Sequence, residues 1–120
     1  MTTASLNTQA RRLSAAEQDQ FRRRGYLKNL PLFEEQGVAH LQQRFEELWG
    51  LMPEGMDINK VNCWHKANRW VYDLCSTPAI LDYVEDLIGT DMFLWGCQFF
   101  CKLPGGSSEV PWHQDAQYWP

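Results

Sequence analysis

The chain lacks several features that would assign it to a class at once. It has no run of 18 apolar residues, so no membrane-spanning helix is expected. Its first residues, 1–9, are polar and contain no apolar core of a secretory signal peptide. It has no internal repeat and no low-complexity tract. These absences predict a cytoplasmic protein without a membrane partner.

Excess positive charge is also lacking. Eleven Lys and Arg residues against 15 Asp and Glu give a formal net charge of −4, which argues against nucleic acid as the main partner. The one basic run, Arg22-Arg23-Arg24, falls at the end of a predicted helix, where cations interact favourably with the helix dipole. We therefore interpret this run as ordinary helix surface.

What is present is typical of a globular domain. The 120 residues suffice for one domain with a modest core, and 44% of them are apolar and 22% charged. Five of the six tryptophans lie in the second half of the chain. In the absence of a signal peptide, the cysteines are predicted to be reduced thiols: Cys63, Cys75, Cys97 and Cys101.

The first three quarters of the chain carry helical patterns. We expect residues 1–12 to be a flexible lead-in and residues 13–120 to form part of a single domain. A capping box at Ser14–Glu17 and a stop at Gly25 predict a helix from about 14 to 24. Further helices are predicted within 32–49, which ends at Gly50, over 66–75, and from Thr77-Pro78 to Gly89.

The pattern changes at Asp91. Residues 92–103 are aromatic and alternate in a way that predicts a long strand, and a second strand is predicted to begin at Val110. Two strands do not form a stable sheet without further cover. Either the helices sandwich this hairpin, or the chain is the N-terminal part of a longer protein, which is the reading we favour.

The triplet His113-Gln114-Asp115 is the strongest chemical signal. On a strand, His113 and Asp115 would point to the same face, because side chains alternate with a period of two. Together they would supply two of the three ligands of a two-histidine, one-carboxylate iron site. No residue after Pro120 supplies the second histidine. For an isolated triplet of this kind, a turn-capping histidine and a solvated acid would be the better interpretation.

The cysteines offer a competing zinc site of Cys3His type, built from Cys63, His65, Cys97 and Cys101. On a strand, however, Cys97 and Cys101 would lie about 13–14 Å apart, given a rise of roughly 3.4 Å per residue. That separation is too long for one zinc ion, so free buried thiols are the better expectation.

Residues 92–120 resemble the phytanoyl-CoA dioxygenase family of Fe(II)- and 2-oxoglutarate-dependent oxygenases. Upstream, residues 17–27 resemble the opening helix of the family and its Gly-Tyr turn, and residues 80–89 resemble the helix before the first core strand. The resemblance rests chiefly on Leu94-Trp95-Gly96-Cys97-Gln98-Phe99-Phe100-Cys101-Lys102, Trp112-His113-Gln114-Asp115 and Tyr118-Trp119-Pro120.

The resemblance implies an α+β fold, with N-terminal helices leading into the first strands of a double-stranded β-helix (a cupin-like jelly roll), incomplete in this chain. It implies Fe(II) bound by His113 and Asp115, 2-oxoglutarate as cosubstrate, and O2 with a small-molecule substrate. The second histidine and an arginine for 2-oxoglutarate come from later strands of the family fold, so the chain is expected to be a fragment. Family-like halogenases lack the carboxylate, so Asp115 favours hydroxylation.

Further residues are candidates for the same site. The resemblance places Gln114 and Lys66 towards 2-oxoglutarate. Gln98 and Lys102 share a face of the predicted strand that precedes the metal ligands, and Trp95 lies on the same strand; a buried lysine there would need an anionic partner. Trp112 and Tyr118 would line the substrate pocket.

Each of these candidates has a structural alternative. Lys102 would then extend to the surface, Gln114 would pack in the strand, and the aromatic residues would fill the core. The alternative function is a non-catalytic truncated module that acts in binding or packing.

Overall fold

The structure is a computed structural model that describes residues 12–102, 104–105 and 109–117. Within these residues the chain forms α-helices and short 3-10 helices, and no described helix is long and apolar enough to cross a membrane. The α-helices are α1 (Ala15–Arg24), α2 (Glu35–Gly50), α3 (Trp64–Ala67), α4 (Arg69–Cys75) and α5 (Pro78–Ile88). The 3-10 helices are Ile58–Lys60 and Asp115–Gln117.

Helix α1 has the predicted ends. The Ser14 hydroxyl accepts a hydrogen bond from the Glu17 backbone N–H at 3.3 Å, and the Ser14 N–H donates to the Glu17 carboxylate at 2.8 Å. This reciprocal pair satisfies two N–H groups that the first turn of a helix leaves without partners. Gly25 ends the helix in the left-handed region at φ +79°, and its N–H donates to the Phe21 carbonyl at 2.7 Å.

The other helices differ from the predictions in detail. The segment predicted as one helix over 66–75 is two helices, α3 and α4, because Asn68 has extended backbone angles of φ −135° and ψ 113°. Helix α5 has Pro78 in its first turn, as predicted. Thr77 precedes it, but the Thr77 hydroxyl donates to the Asp73 carbonyl of α4 at 3.2 Å instead of capping α5. Thr77 therefore links α4 to α5.

Arg12, at the edge of the predicted lead-in, connects the N-terminal segment to α5. Its guanidinium lies 2.5 Å from Asp86, 3.1 Å from Asp82 and 3.3 Å from Glu85. The hydrogen bond with Glu85 is the largest cause of a raised pKa of Arg12. The Leu13 N–H also donates to Asp86 at 2.7 Å, and the Leu13 side chain is buried. These contacts hold the start of α1 against α5.

The hydrophobic core lies between α2, α3 and α4. Its buried members are Leu48, Ile58, Trp64 and Val71. Phe99, from the segment after α5, inserts among their neighbours, with its ring centroid 5.1 Å from Phe45, 5.9 Å from Trp64 and 6.2 Å from Trp70. Aromatic pairs at these separations contribute beyond the area they bury.

The predicted α+β fold is wrong for the described residues, which are helical and contain no sheet. Residues 92–102 make one isolated antiparallel bridge, between Asn62 and Gln98, and residues 109–112 form no strand, so the predicted hairpin of the jelly roll is absent there. The predicted alternation of side chains between two faces holds only in part. Phe99 packs on the core, but Phe93 and Trp95, which alternation would place on the same face as Phe99, are 79% and 68% exposed. Among the described residues, none pairs with the backbone of residues 92–96 as a neighbouring strand.

Asn59 occupies the place that a neighbouring strand would take. Its side-chain oxygen accepts from the Cys101 N–H at 2.6 Å, and its amide nitrogen donates to the Cys101 carbonyl at 3.2 Å. The Gln98 side-chain amide donates to the Asn59 carbonyl, and the Cys63 N–H donates to the Cys97 carbonyl at 2.9 Å. Backbone groups that have lost contact with water are thereby satisfied without a sheet.

Ile58 provides a test of where the core lies. It is 1% exposed, so Ile58→Ala should remove buried contacts and lower the free energy of unfolding by about 2–5 kcal/mol. Leu51→Ala, at a side chain that is 81% exposed, should change it by less than about 0.5 kcal/mol. Urea unfolding followed by tryptophan fluorescence measures both, and equal losses would contradict this assignment of the core.

Asn59→Ala tests the hydrogen bonds that hold residues 98–101. It leaves the Cys101 N–H and carbonyl without their side-chain partners, so the free energy of unfolding should fall by about 1–3 kcal/mol. The matched control is Asn62→Ala, at an exposed side chain nearby, with an expected change below about 0.5 kcal/mol. Hydrogen exchange of the Cys101 amide should accelerate in the first variant and not in the second.

Candidate metal-binding pair

His113 and Asp115 face each other near the end of the described chain. The His113 Nδ1 atom lies 2.9 Å from the Pro111 carbonyl oxygen. Since a carbonyl oxygen only accepts, Nδ1 carries the proton in this contact. The other ring nitrogen, Nε2, lies 3.3 Å from Oδ1 of Asp115. A backbone carbonyl that fixes the ring in this way is the usual support of a metal-ligating histidine.

The separation of these two atoms fits neighbouring ligands of one cation. Two metal–ligand bonds of about 2.1 Å at a right angle place their donor atoms about 3.0 Å apart. The observed 3.3 Å is close to that value. The His113 side chain is 41% exposed and the Asp115 side chain 79% exposed, so both are accessible from solvent. The pair has the donor chemistry of an iron, zinc or manganese site.

The reason for this proximity is a turn and not the predicted strand. Residues 109–114 form no regular element, and Asp115 begins the 3-10 helix Asp115–Gln117. The irregular backbone at His113 followed by this short turn places the two side chains side by side. The predicted geometry of alternating strand faces is therefore incorrect, although the two side chains do face each other.

No third donor joins the pair among the residues that the structure describes. In that part of the chain no cluster of three or more His, Cys, Asp or Glu side chains is arranged to hold a metal ion. The same observation argues against the zinc alternative of Cys63, His65, Cys97 and Cys101. His40 lies on α2, and His65 contacts Cys97 instead of the candidate pair.

The other predicted site residues differ in exposure. Gln98 is half-buried, and its side-chain amide donates a hydrogen bond to the Asn59 carbonyl. The Trp95 ring packs edge-on against Phe93, with centroids 6.1 Å apart. Tyr118 lies outside the described residues. The remaining candidates are exposed: Lys66, Lys102, Trp112 and Gln114.

A separate apolar groove of about 600 Å³ runs beside the core. It lies between α2 and α4, and the Phe99 ring, which packs against Phe45, also lines it. None of the predicted site residues lines it. Its lining residues are Phe33, Val38, Leu41, Gln42, Phe45, Glu46, Trp70, Leu74 and Phe99.

The contact between His65 and Cys97 was missed by the sequence reasoning. The Cys97 sulfur lies 3.1 Å from the His65 Nδ1 atom and accepts from the His65 backbone N–H at 3.2 Å. Burial raises the pKa of Cys75, whose thiol lies beside Cys97. No local pattern in the sequence indicates the contact, because His65 and Cys97 are 32 positions apart.

Comparison with known proteins gives one match. The sequence model of the family described as Phytanoyl-CoA dioxygenase (PhyH) matches residues 21–120, which span the chain from α1 to the candidate pair. No match was found among curated proteins or among solved structures.

Cation titration tests the candidate pair. His113→Ala and Asp115→Ala should each weaken binding of Co(II) or Mn(II) by about tenfold or more, because each removes a donor atom. The matched controls are His40→Ala on α2 and Asp91→Ala, which are exposed and lie away from the pair in sequence. Isothermal titration calorimetry gives the affinities, and equal effects in pair and control variants would show that the cation binds elsewhere.

Proposed function

Because the chain belongs to the phytanoyl-CoA dioxygenase family, we propose that it carries part of the active site of an Fe(II)- and 2-oxoglutarate-dependent hydroxylase. The substrate is a small molecule, and O2 is the oxidant. The observation that carries the proposal is the 3.3 Å separation between His113 Nε2 and Asp115 Oδ1. Both side chains are accessible to solvent. The membership by itself supports an oxygenase-type enzyme.

His113 and Asp115 would hold the iron, which supplies the oxygen chemistry when bound with 2-oxoglutarate. The Pro111 carbonyl accepts the proton on Nδ1 of His113 and so directs Nε2 towards the cation. The Asp115 carboxylate adds a negative charge, which favours a divalent cation over a neutral ligand. The triad needs one further histidine, and among the described residues neither His40 nor His65 joins the pair.

The cosubstrate is a dicarboxylate, so it requires cationic or amide partners. Lys66 on α3 and Lys102, which follows the Asn59-bonded Cys101, are the exposed cations among the candidates. Gln114 lies between the two proposed ligands in sequence and is exposed. Gln98 is the weaker candidate, because its amide already donates to the Asn59 carbonyl. We therefore assign 2-oxoglutarate contacts first to Lys66, Lys102 and Gln114.

The competing function is a non-catalytic binding module. It is favoured by the exposure of large aromatic side chains near the pair and along the preceding segment, where Trp112 is fully exposed and Phe100 is 82% exposed. Exposed apolar patches of this kind mark binding surfaces. The two functions differ in one measurable respect, which is turnover of 2-oxoglutarate.

Succinate release from 2-oxoglutarate in the presence of Fe(II) and O2, measured on a longer protein that contains this chain and the remaining iron ligand, tests the hydroxylase. Asp115→Ala should reduce the rate by at least about a hundredfold, because it removes a proposed iron ligand. Asp91→Ala should leave it unchanged. A visible charge-transfer band on anaerobic addition of Fe(II) and 2-oxoglutarate reports the assembled centre without turnover. Full activity of the Asp115→Ala variant would contradict the assignment, and absence of both band and turnover would favour the binding module.

The cosubstrate assignment has its own readout in the same assay. Lys66→Met and Lys102→Met should raise the 2-oxoglutarate concentration needed for half-maximal signal by about tenfold, since each removes a charged partner of a carboxylate. Lys60→Met, at another exposed lysine, is the control. Unchanged half-maximal concentrations in both variants would remove these lysines from the site.

A further inference from the structure

The Cys97 sulfur is the centre of a small polar cluster away from the His113–Asp115 pair in sequence. It lies 3.1 Å from Nδ1 of His65 and accepts the His65 backbone N–H at 3.2 Å. Two nitrogens of one residue therefore contact this sulfur, and the ring nitrogen is placed where it can take up a proton from the thiol. The donor of the second contact is a backbone N–H in the first turn of α3, so the position of that donor does not depend on a side-chain rotation.

Cys75 lies next to this sulfur. It ends α4, is half-buried, and its thiol is within hydrogen-bonding reach of Cys97. Burial is the largest cause of the raised pKa of Cys75, with the neighbouring Cys97 a further cause. The two cysteines thus differ in environment: Cys97 contacts two nitrogens of His65, whereas burial raises the pKa of Cys75. Both belong to the half-buried layer around Trp64 and Val71.

We propose that Cys97 is a peroxide-reactive thiol and that Cys75 is its resolving partner, so that oxidation produces a Cys75–Cys97 disulfide. Such sites combine a thiol beside a base that can take its proton, access for a small oxidant and an adjacent second thiol. The geometry supplies the three features through the His65 contacts, the partial exposure of Cys97 and the position of Cys75. The proposal is independent of the hydroxylase function.

The chemistry balances with hydrogen peroxide as the oxidant. The proton of the Cys97 thiol passes to Nδ1 of His65, and the thiolate attacks one peroxide oxygen. The O–O bond breaks, Cys97 becomes a sulfenic acid, and the departing hydroxide takes the proton back from His65 as water. The Cys75 sulfur then attacks the Cys97 sulfur, the S–O bond breaks, and the hydroxyl leaves with the Cys75 proton as a second water.

The disulfide would connect the end of α4 to the segment that Asn59 and Phe99 hold on the core. In the reduced protein this segment is attached by the Asn59 hydrogen bonds, the Cys63 contact to the Cys97 carbonyl, and the packing of Phe99. A covalent link between α4 and the same segment restricts the unfolded chain, which raises the melting temperature. Oxidation would therefore stiffen the connection between the helices and the chain that leads to His113.

Peroxide treatment of the purified protein, followed by mass spectrometry, tests the site. The intact mass should fall by about 2 Da, the loss of two hydrogens, and peptide mapping should identify Cys75 linked to Cys97. In Cys75→Ser, Cys97 should be trapped as a sulfenic acid by dimedone. In Cys97→Ser, the fall in mass should be abolished. Cys101→Ser is the matched control and should form the disulfide as the unmodified chain does.

His65 has a separate readout. His65→Gln should slow dimedone labelling of Cys97 by about tenfold in the Cys75→Ser background, because the ring nitrogen no longer takes the thiol proton. Circular dichroism of each variant establishes that it is folded. A disulfide that links Cys63 or Cys101 to Cys97, or equal labelling of all four cysteines, would overturn the proposal, as would an unchanged mass after peroxide in a folded protein.

Discussion

The Asn59 hydrogen bonds to residues 98–101 are the constraint on which the second half of the structure depends. The last α-helix, α5, ends at Ile88, and the described residues then form no regular element until Asp115. Asn59 and the inserted ring of Phe99 bring this segment back onto the helices. Through the same segment, Cys97 reaches His65, and the chain continues towards His113 and Asp115. Because a buried backbone group without a partner costs free energy, these few hydrogen bonds determine where the segment lies.

The helical part could be predicted from the sequence because its determinants are local. The Ser14–Glu17 box and Gly25 fix α1 through contacts within four residues along the chain. Pro78 after Thr77 marks the start of α5 in the same way. The close approach of His113 to Asp115 is also a short-range feature, since the two are separated by one residue, and it survives although the backbone there is not a strand.

The predicted strands were wrong because strand pairing is a long-range property. Residues 92–102 have the composition of a strand. In the described chain, however, this segment is held by hydrogen bonds to the Asn59 side chain and by one bridge to Asn62. Hydrophobic alternation alone does not distinguish a paired strand from an extended segment that packs one ring. The approach of His65 to Cys97 joins residues 32 positions apart, and no local pattern encodes it.

The central claim is that His113 and Asp115 form half of a metal site in a member of this oxygenase family. The most direct measurement is NMR of protein labelled with 15N-histidine during addition of Mn(II), since the sequence contains three histidines, at positions 40, 65 and 113. A bound paramagnetic ion broadens nearby ring signals. The account predicts that the His113 ring signals disappear at low Mn(II) concentrations while those of His40 and His65 persist. Preferential broadening of His65 or His40, or equal broadening of all three, would contradict it.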